Sequence, residues 1–183
     1  QEELPFCIVQ LPNFMEKRAE PSESSWARMR EAQFETALEV PYTSLAVTYD
    51  VGEWNDIHPL NKKDMAKRLF LGARKLVFRE KIVASGPLYH SMKIEGNKII
   101  LTFTETGKGL TCKGDELKHF AIAGEDKKFV WAKAIIKGNK VIVSSPEVDK
   151  PVVVRYAWAD NPEGANLYNK NGLLAPPFRT DTW

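Results

Sequence analysis

The hydrophobic pattern of the chain changes its period near residue 82, and this change most limits what the chain can fold into. Before it, short apolar runs at 6–11 and 42–49 alternate with helical patterns at 22–38 and after Asn61. The order strand–helix–strand–helix indicates parallel strands covered by helices. The run 6–11 is short and apolar throughout its centre, so we expect a strand buried on both faces.

After residue 82 the chain has short β-branched strands, at 98–103, 129–134, 140–143 and 151–156. Gly96-Asn97 and Gly138-Asn139 stand between apolar residues, and each pair predicts a tight hairpin. The Pro-, Gly- and Asn-rich tail 161–183 predicts an ordered coil on the surface. We therefore expect an α/β unit over 1–82 and an antiparallel, sandwich-like β module over 83–183.

The composition excludes several classes of protein. Of the 183 residues, 43% are hydrophobic and 27% charged, enough for a packed core and unlike a disordered or collagenous chain. The 26 basic residues nearly balance 24 acidic ones, which gives no reason to expect nucleic acid as a partner. No apolar stretch approaches the ~20 residues of a membrane span. Two cysteines cannot build a four-thiolate zinc site, and we expect neither a metal nor a cofactor.

Asp56-Ile57-His58-Pro59 is the only place where a histidine and a carboxylate lie close in sequence. The segment follows a strand and precedes a helix, where the catalytic loops of open α/β sheets lie. A general base needs an imidazole that titrates near neutral pH, and a carboxylate can fix its tautomer. The spacing also fits a second interpretation, in which Asp56 caps a turn and His58-Pro59 only starts the helix.

The loop 50–62, together with Arg68-Leu69 in the following helix, resembles the last sequence block of the sialate O-acetylesterase family, which belongs to the SGNH/GDSL hydrolases. Similar blocks follow in order along almost the whole chain, at 26–33, 85–87, 120–124, 154–158, 166–169 and 177–183. The resemblance implies the fold class α/β: the C-terminal part of an SGNH-type three-layer parallel-sheet domain, followed by an antiparallel β-sandwich-like module.

The resemblance also implies a reaction, in which a serine attacks an acetyl ester on a sugar and His58 carries the proton. Many SGNH enzymes have an aspartate three residues before this histidine, but this chain has Asn55 there. Asp56 is therefore our first choice for the acid and Asp50 the second, and a backbone carbonyl could also orient His58. Among residues that could contact the substrate we name Trp54, followed by two on one helix face, Arg30 and Gln33.

The nucleophile block of the family, Gly-Asp-Ser after a first strand, is absent from the sequence, as are its oxyanion-hole blocks. We therefore expect the C-terminal portion of a longer esterase, inactive by itself. Its expected partners are an O-acetylated sugar and the missing N-terminal part of the same polypeptide, or a second copy in a homodimer. The substrate class implies a periplasmic, secreted or lysosomal location.

A different hypothesis is a non-catalytic module that binds glycans on the aromatic side chains of Trp131, Tyr156 or Trp158; a third is a degenerate homologue that kept only the fold. The esterase hypothesis predicts an exposed His58 in a cleft at the carboxyl end of the sheet. The binding module predicts a sugar-width groove lined by one or more of these three aromatic side chains, and a buried or disordered His58. Two other histidines, His90 and His119, have no partner at metal-ligand spacing. The basic helix residues Lys62, Lys63, Lys67 and Arg68 are expected to be solvated.

Overall fold

The computed structural model describes residues 4–183, which form two helices and twelve strands. Within this part of the chain, neither helix is long and apolar enough to cross a bilayer. In chain order the elements are β1 (Phe6–Val9), α1 (Ser25–Glu39), β2 (Thr43–Ala46), α2 (Lys62–Leu76), β3 (Leu88–Glu95), β4 (Lys98–Thr104), β5 (Leu110–Cys112), β6 (Phe120–Ala123), β7 (Val130–Trp131), β8 (Lys133–Lys137), β9 (Lys140–Ser144), β10 (Val153–Tyr156), β11 (Leu167–Asn169) and β12 (Phe178–Arg179).

The first four elements form a small α/β unit. β1 and β2 pair in parallel from Phe6 opposite Thr43 onward, and both helices pack on this pair. The helices begin where capping residues predict. Ser24 Oγ accepts the N–H of Ala27 at 2.9 Å, and Asn61 Oδ1 accepts the N–H of Asp64 at 3.1 Å. Each cap satisfies one amide at a helix start that has no partner within the helix.

The remaining strands build antiparallel sheets. Two sheets have four strands each, in the orders β3-β4-β9-β8 and β12-β10-β6-β7, and β5 pairs with β11. Both predicted hairpins are confirmed: Gly96 and Gly138 turn between paired strands with φ of +60° and +62°, which glycine adopts without steric cost. Alternate strand residues such as Leu101, Val141 and Val154 are fully buried in one hydrophobic core.

The prediction that β1 is buried on both faces is wrong. Phe6 is 64% exposed and Val9 39% exposed, because β1 pairs with β2 alone among the described strands. Phe6 and Gln10 donate their N–H groups to the β2 side. In a parallel strand alternate amides point to opposite edges, so the amides of Cys7 and Val9 point away from β2. The outer edge of β1 therefore has free hydrogen-bonding groups flanked by apolar side chains.

The tail also differs from its prediction, because it is part of the fold and not a coil laid on its surface. Leu167 and Phe178 are buried in the core, within β11 and β12. Past β12, Asp181 accepts two hydrogen bonds from the buried guanidinium of Arg155, at 2.8 and 2.9 Å. Arg179 forms a bidentate pair with Glu31 of α1. The tail thus ties the β module to the α/β unit.

The buried side chain of Arg30 makes a second tie between the two units. Its guanidinium is fully enclosed and donates to four backbone carbonyls, two after β1 and two in the segment 159–160. Burial lowers the pKa of Arg30 to about 10, so the group stays charged at neutral pH. Charge-assisted bonds to carbonyls offset the cost of burying it. Arg30 therefore holds the loop after β1 against a segment that lies 130 residues after Arg30 itself.

We predict that Arg30→Ala lowers the free energy of unfolding by about 3–5 kcal/mol, since it leaves buried carbonyls without donors and opens a cavity. Arg28→Ala is a matched control on the same helix, where the arginine is exposed and pairs only with Glu23. Its expected cost is within about 0.5 kcal/mol. Denaturant unfolding measures both, and equal losses would contradict the role given to Arg30.

Candidate functional site

The connection between β2 and α2 carries the histidine singled out by the sequence. We call residues 50–60 of this connection the His loop. It leaves the carboxyl end of β2, the end of a parallel strand at which open α/β sheets bind ligands. The residues just before it, Val47 to Tyr49, are buried, whereas most of the loop is exposed or half-buried. The loop therefore starts from a fixed point in the core and presents its later residues to solvent.

His58 lies on the surface with Asp56 beside it. The imidazole is 83% exposed, and its Nδ1 lies 3.5 Å from Asp56 Oδ1. The same carboxylate oxygen accepts the backbone N–H of His58 at 2.7 Å. This backbone bond holds the carboxylate next to the ring, at a separation slightly longer than a normal hydrogen bond. The arrangement leaves Nε2 facing away from Asp56, free to take or give a proton.

Asp50, the second candidate for the acid, is engaged elsewhere. Its carboxylate accepts two hydrogen bonds from Arg68 of α2, at 2.5 and 2.7 Å, and one from the hydroxyl of Tyr168 at 2.8 Å. The side chains of Asp50 and Arg68 are only 10% and 11% exposed. The expectation that Arg68 is solvated is therefore wrong, because its carboxylate partner comes from the strand end that α2 packs against. Asp50 anchors the start of the His loop.

The protonation states in this anchor are stable. Burial raises the pKa of Tyr168, and the neighbouring Asp50 carboxylate raises it further, so the phenol remains a donor. Burial lowers the pKa of Arg68, but hydrogen bonds from the guanidinium to Asp50 outweigh this and raise it overall. Beside them, the hydroxyl of buried Tyr49 donates to the carbonyl of Ala175 at 2.7 Å. Hydrogen bonds from the side chains of Tyr49 and Tyr168 thus hold Asp50, the first residue of the His loop, and Tyr49 just before it against the β module.

A close approach at Gly52 fixes the middle of the His loop. A Cβ at this position would lie 2.3 Å from Asn13 Oδ1 and 2.8 Å from Pro12 Cβ, both in the loop after β1. Those distances are too short for any side chain. Nearby, the carbonyl of Trp54 accepts the N–H of Met15 at 2.7 Å. The loop after β1 is therefore the surface on which the His loop rests.

A cleft of about 1000 Å³ lies between the His loop and the β module. One wall is the start of the loop, including Gly52, Trp54 and Asn55, and the other is formed by residues 113–118 and 162–166. Asp56 and His58 follow Asn55 in sequence but are not among the residues that line the cleft. The described part of the chain therefore has an exposed histidine on the same loop that forms one wall of a hollow large enough for a sugar.

The three residues proposed from sequence to contact a substrate lie in different surroundings. Trp54 is 54% exposed and lines the cleft. Arg30 is enclosed by backbone carbonyls, as described above, and Gln33 Oε1 accepts the N–H of Leu11 at 3.0 Å. Arg30 and Gln33 therefore bind the loop after β1. The sequence signal for this role was weak, because polar residues on a helix face are usually solvated.

The aromatic side chains proposed for glycan binding are mostly inside the protein. Tyr156 is fully buried and Trp158 only 5% exposed, and the Tyr156 hydroxyl accepts the N–H of Leu167. Trp131 alone of the three is on the surface, with 36% exposed. The exposed His58 is the outcome expected for the esterase hypothesis and not for a separate glycan-binding module.

Several curated proteins that are similar to this chain have the same name. No protein-family model matches the chain. The chain is 28% identical over 191 residues to the sialate O-acetylesterases of Pongo abelii and Homo sapiens, and 27% identical to that of Mus musculus. These alignments cover 95% of this chain but only 35–36% of the relatives, so the chain spans about a third of their length.

Among solved structures, a carbohydrate acetylesterase from Xanthomonas citri has the same fold over 98% of this chain, with a TM-score of 0.93 and 44% sequence identity. The matched region is 42% of that structure. The sequence blocks recognised along the chain and this structural similarity agree with each other. Along nearly its whole length the chain is therefore similar to about a third of the length of the sialate O-acetylesterases and to part of a carbohydrate acetylesterase.

Proposed function

We propose that this chain is the C-terminal part of a carbohydrate O-acetylesterase and supplies its catalytic histidine, His58. The observation that carries the proposal is the exposed imidazole next to a carboxylate, on the loop that leaves the carboxyl end of β2 and forms one wall of an open cleft. The similarity to these proteins supports the reaction, because their names describe acetylesterases. The nucleophilic serine would come from the part of the polypeptide that this sequence does not contain.

In the proposed mechanism Nε2 of His58 takes the proton of the serine hydroxyl as its oxygen attacks the acetyl carbon. The same proton then passes to the sugar oxygen as the ester bond breaks, leaving an acetyl-enzyme. A water attacks this intermediate and gives a proton to Nε2, and this proton passes to the serine oxygen as its bond to the acetyl carbon breaks and the product leaves as acetic acid, which ionises to acetate. Asp56 acts through Nδ1: the 3.5 Å separation is within reach of a small ring rotation, and such contacts often tighten in the substrate complex.

The α/β unit supports the proposal that more of the sheet lies elsewhere in the polypeptide. The outer edge of β1 has amides that point away from β2, and an open edge of this kind pairs readily with another strand. The same unit exposes large apolar side chains that covering elements would bury: Phe6, Val9, Met29, Leu38, Phe70, Val77 and Phe78. We propose that the N-terminal part of an SGNH-type domain covers this surface.

The substrate in this proposal is an O-acetylated sugar, and no cofactor takes part. Because acetylated glycans are found outside the cytoplasm, we also propose a periplasmic, secreted or lysosomal location.

We predict that His58→Ala in the full-length polypeptide lowers kcat for a carbohydrate acetyl ester by about 10²- to 10⁴-fold, the contribution of a general base. His90→Ala is the matched control, since His90 is exposed on β3 and far from the His loop in sequence. Steady-state hydrolysis with a chromogenic acetyl ester measures both. Wild-type rates for His58→Ala would overturn the assignment of the base.

We predict that substitution of the two candidate acids affects different quantities, catalytic activity for Asp56 and stability for Asp50. Asp56→Asn lowers kcat by at least about tenfold with little change in stability, because Asp56 orients the imidazole and is half-exposed. Asp50→Asn lowers the free energy of unfolding by about 2–4 kcal/mol, because it leaves Arg68 with a buried and unpaired charge. Activity assays and thermal unfolding of the two variants distinguish the roles, and an Asp56→Asn enzyme with normal kcat would point to a backbone carbonyl instead.

We predict that the isolated chain of residues 1–183 has no acetylesterase turnover and self-associates through the open β1 edge, or binds the N-terminal part when this is added. Size-exclusion chromatography over a range of concentrations, with and without that part, measures the association. A clean monomer that ignores the added part would contradict the proposed covering of β1.

A further inference from the structure

A second hollow lies beside Trp131. We call it the Trp131 groove; its volume is about 1080 Å³. The indole N–H donates to the carbonyl of Ala19 at 2.6 Å, and the His119 ring meets the indole at 5.4 Å with an interplanar angle of 74°. These two contacts fix the orientation of the indole while part of its surface stays exposed. A fixed aromatic surface loses little conformational entropy when a ligand binds.

The Trp131 groove and the cleft beside the His loop share part of their lining. Asp115, Glu116 and Lys118 line both hollows. The carbonyl of Glu163, on the cleft side, accepts a hydrogen bond from His119 Nε2 at 2.7 Å on the groove side. The two hollows therefore meet around residues 115–118. Each contains one exposed tryptophan, Trp54 in the cleft and Trp131 in the groove.

The side chains around the Trp131 groove suit a hydroxyl-rich ligand. Lysines 17, 118 and 133 and Arg18 can donate hydrogen bonds, and Asp115 and Glu116 can accept them. Burial lowers the pKa of His119, and its Nε2–H donates to a carbonyl, so this ring adds no positive charge. The hydroxyls of a sugar can both donate and accept, so a lining that offers donors and acceptors can bind them.

The sizes of the two hollows favour a ligand longer than one sugar. Small-molecule sites usually measure roughly 300–1,000 Å³, and each hollow lies at or above the upper end of this range. A monosaccharide bound beside His58 would leave the Trp131 groove empty. A glycan chain would fill both hollows and place an apolar sugar face against each indole.

We propose that the Trp131 groove is a distal sugar-binding subsite, and that the substrate is therefore an acetylated oligosaccharide or polysaccharide chain bound across both hollows. The inference rests on the proposed function, since it takes the acetyl ester to be cleaved at His58. In this arrangement Trp131 binds a sugar several units away from the reacting ester. It contributes to binding of long substrates and contributes nothing to the chemical step.

The test uses the full-length enzyme with chemically acetylated cello-oligosaccharides, from the monosaccharide to the hexasaccharide, and with p-nitrophenyl acetate. We expect Trp131→Ala to raise KM for the acetylated hexasaccharide about tenfold, the loss of one stacked aromatic contact. We expect kcat for all substrates, and KM for the monosaccharide and the small ester, to stay unchanged. Trp183→Ala is the matched control: Trp183 is 37% exposed and lines neither hollow, so it should leave every constant unchanged.

A second variant guards against a folding effect, since Trp131→Ala also removes the bond to Ala19. Ile135 lines the same groove and is 53% exposed, so Ile135→Ala should fold normally and raise KM for the hexasaccharide about threefold. An unchanged KM in both variants, or an equal rise for short and long substrates, would overturn the distal subsite. Failure of the proposed function gives a different result, namely full activity of His58→Ala on p-nitrophenyl acetate.

Discussion

The carboxylate of Asp50 is shared between the two halves of the chain, and the geometry of the candidate site depends on it. Arg68 of α2 binds it from the α/β unit, and Tyr168 of β11 binds it from the β module. Asp50 also begins the loop that carries His58. If either partner were removed, the buried carboxylate of Asp50 would lose hydrogen bonds. The His loop can hold this conformation only when both halves are folded against each other.

Two further polar contacts connect the same halves. Arg30 binds carbonyls after β1 and in the segment 159–160, and Arg155 binds both Asp181 and Glu23, which precedes α1. The hydrophobic pattern divides the chain near residue 82, yet these buried contacts cross that division. The hydrophobic pattern therefore locates the two kinds of secondary structure correctly. The buried polar contacts, however, join residues on both sides of residue 82.

The features that the sequence predicted correctly depend on neighbouring residues. Ser24 and Asn61 cap helices within three residues of themselves, and each Gly-Asn pair turns the chain between adjacent strands. His58 and Asp56 could be paired for the same reason. Such signals can be recognised from a few consecutive residues of the sequence.

The features that the sequence missed depend on partners far along the chain. Asp50 binds residues 18 and 118 positions away, so its role as an anchor could not be read from the loop itself. Polar side chains on a helix predict solvation, but Arg30 and Arg68 are buried because distant carbonyls and a carboxylate meet them. The exposed face of β1 was missed since the period of a strand does not tell how many neighbours it has.

The close approach at Gly52 restricts what evolution can do at this position. A Cβ there would lie 2.3 Å from Asn13 Oδ1, 2.8 Å from Pro12 Cβ and 2.9 Å from the carbonyl oxygen of Asn13. The last of these atoms belongs to the backbone, so a smaller residue at position 13 would not make room for a side chain at position 52. Homologous genes that keep this packing should therefore keep a glycine codon at position 52 whatever residue stands at position 13, and its replacement would record a change in the path of the backbone.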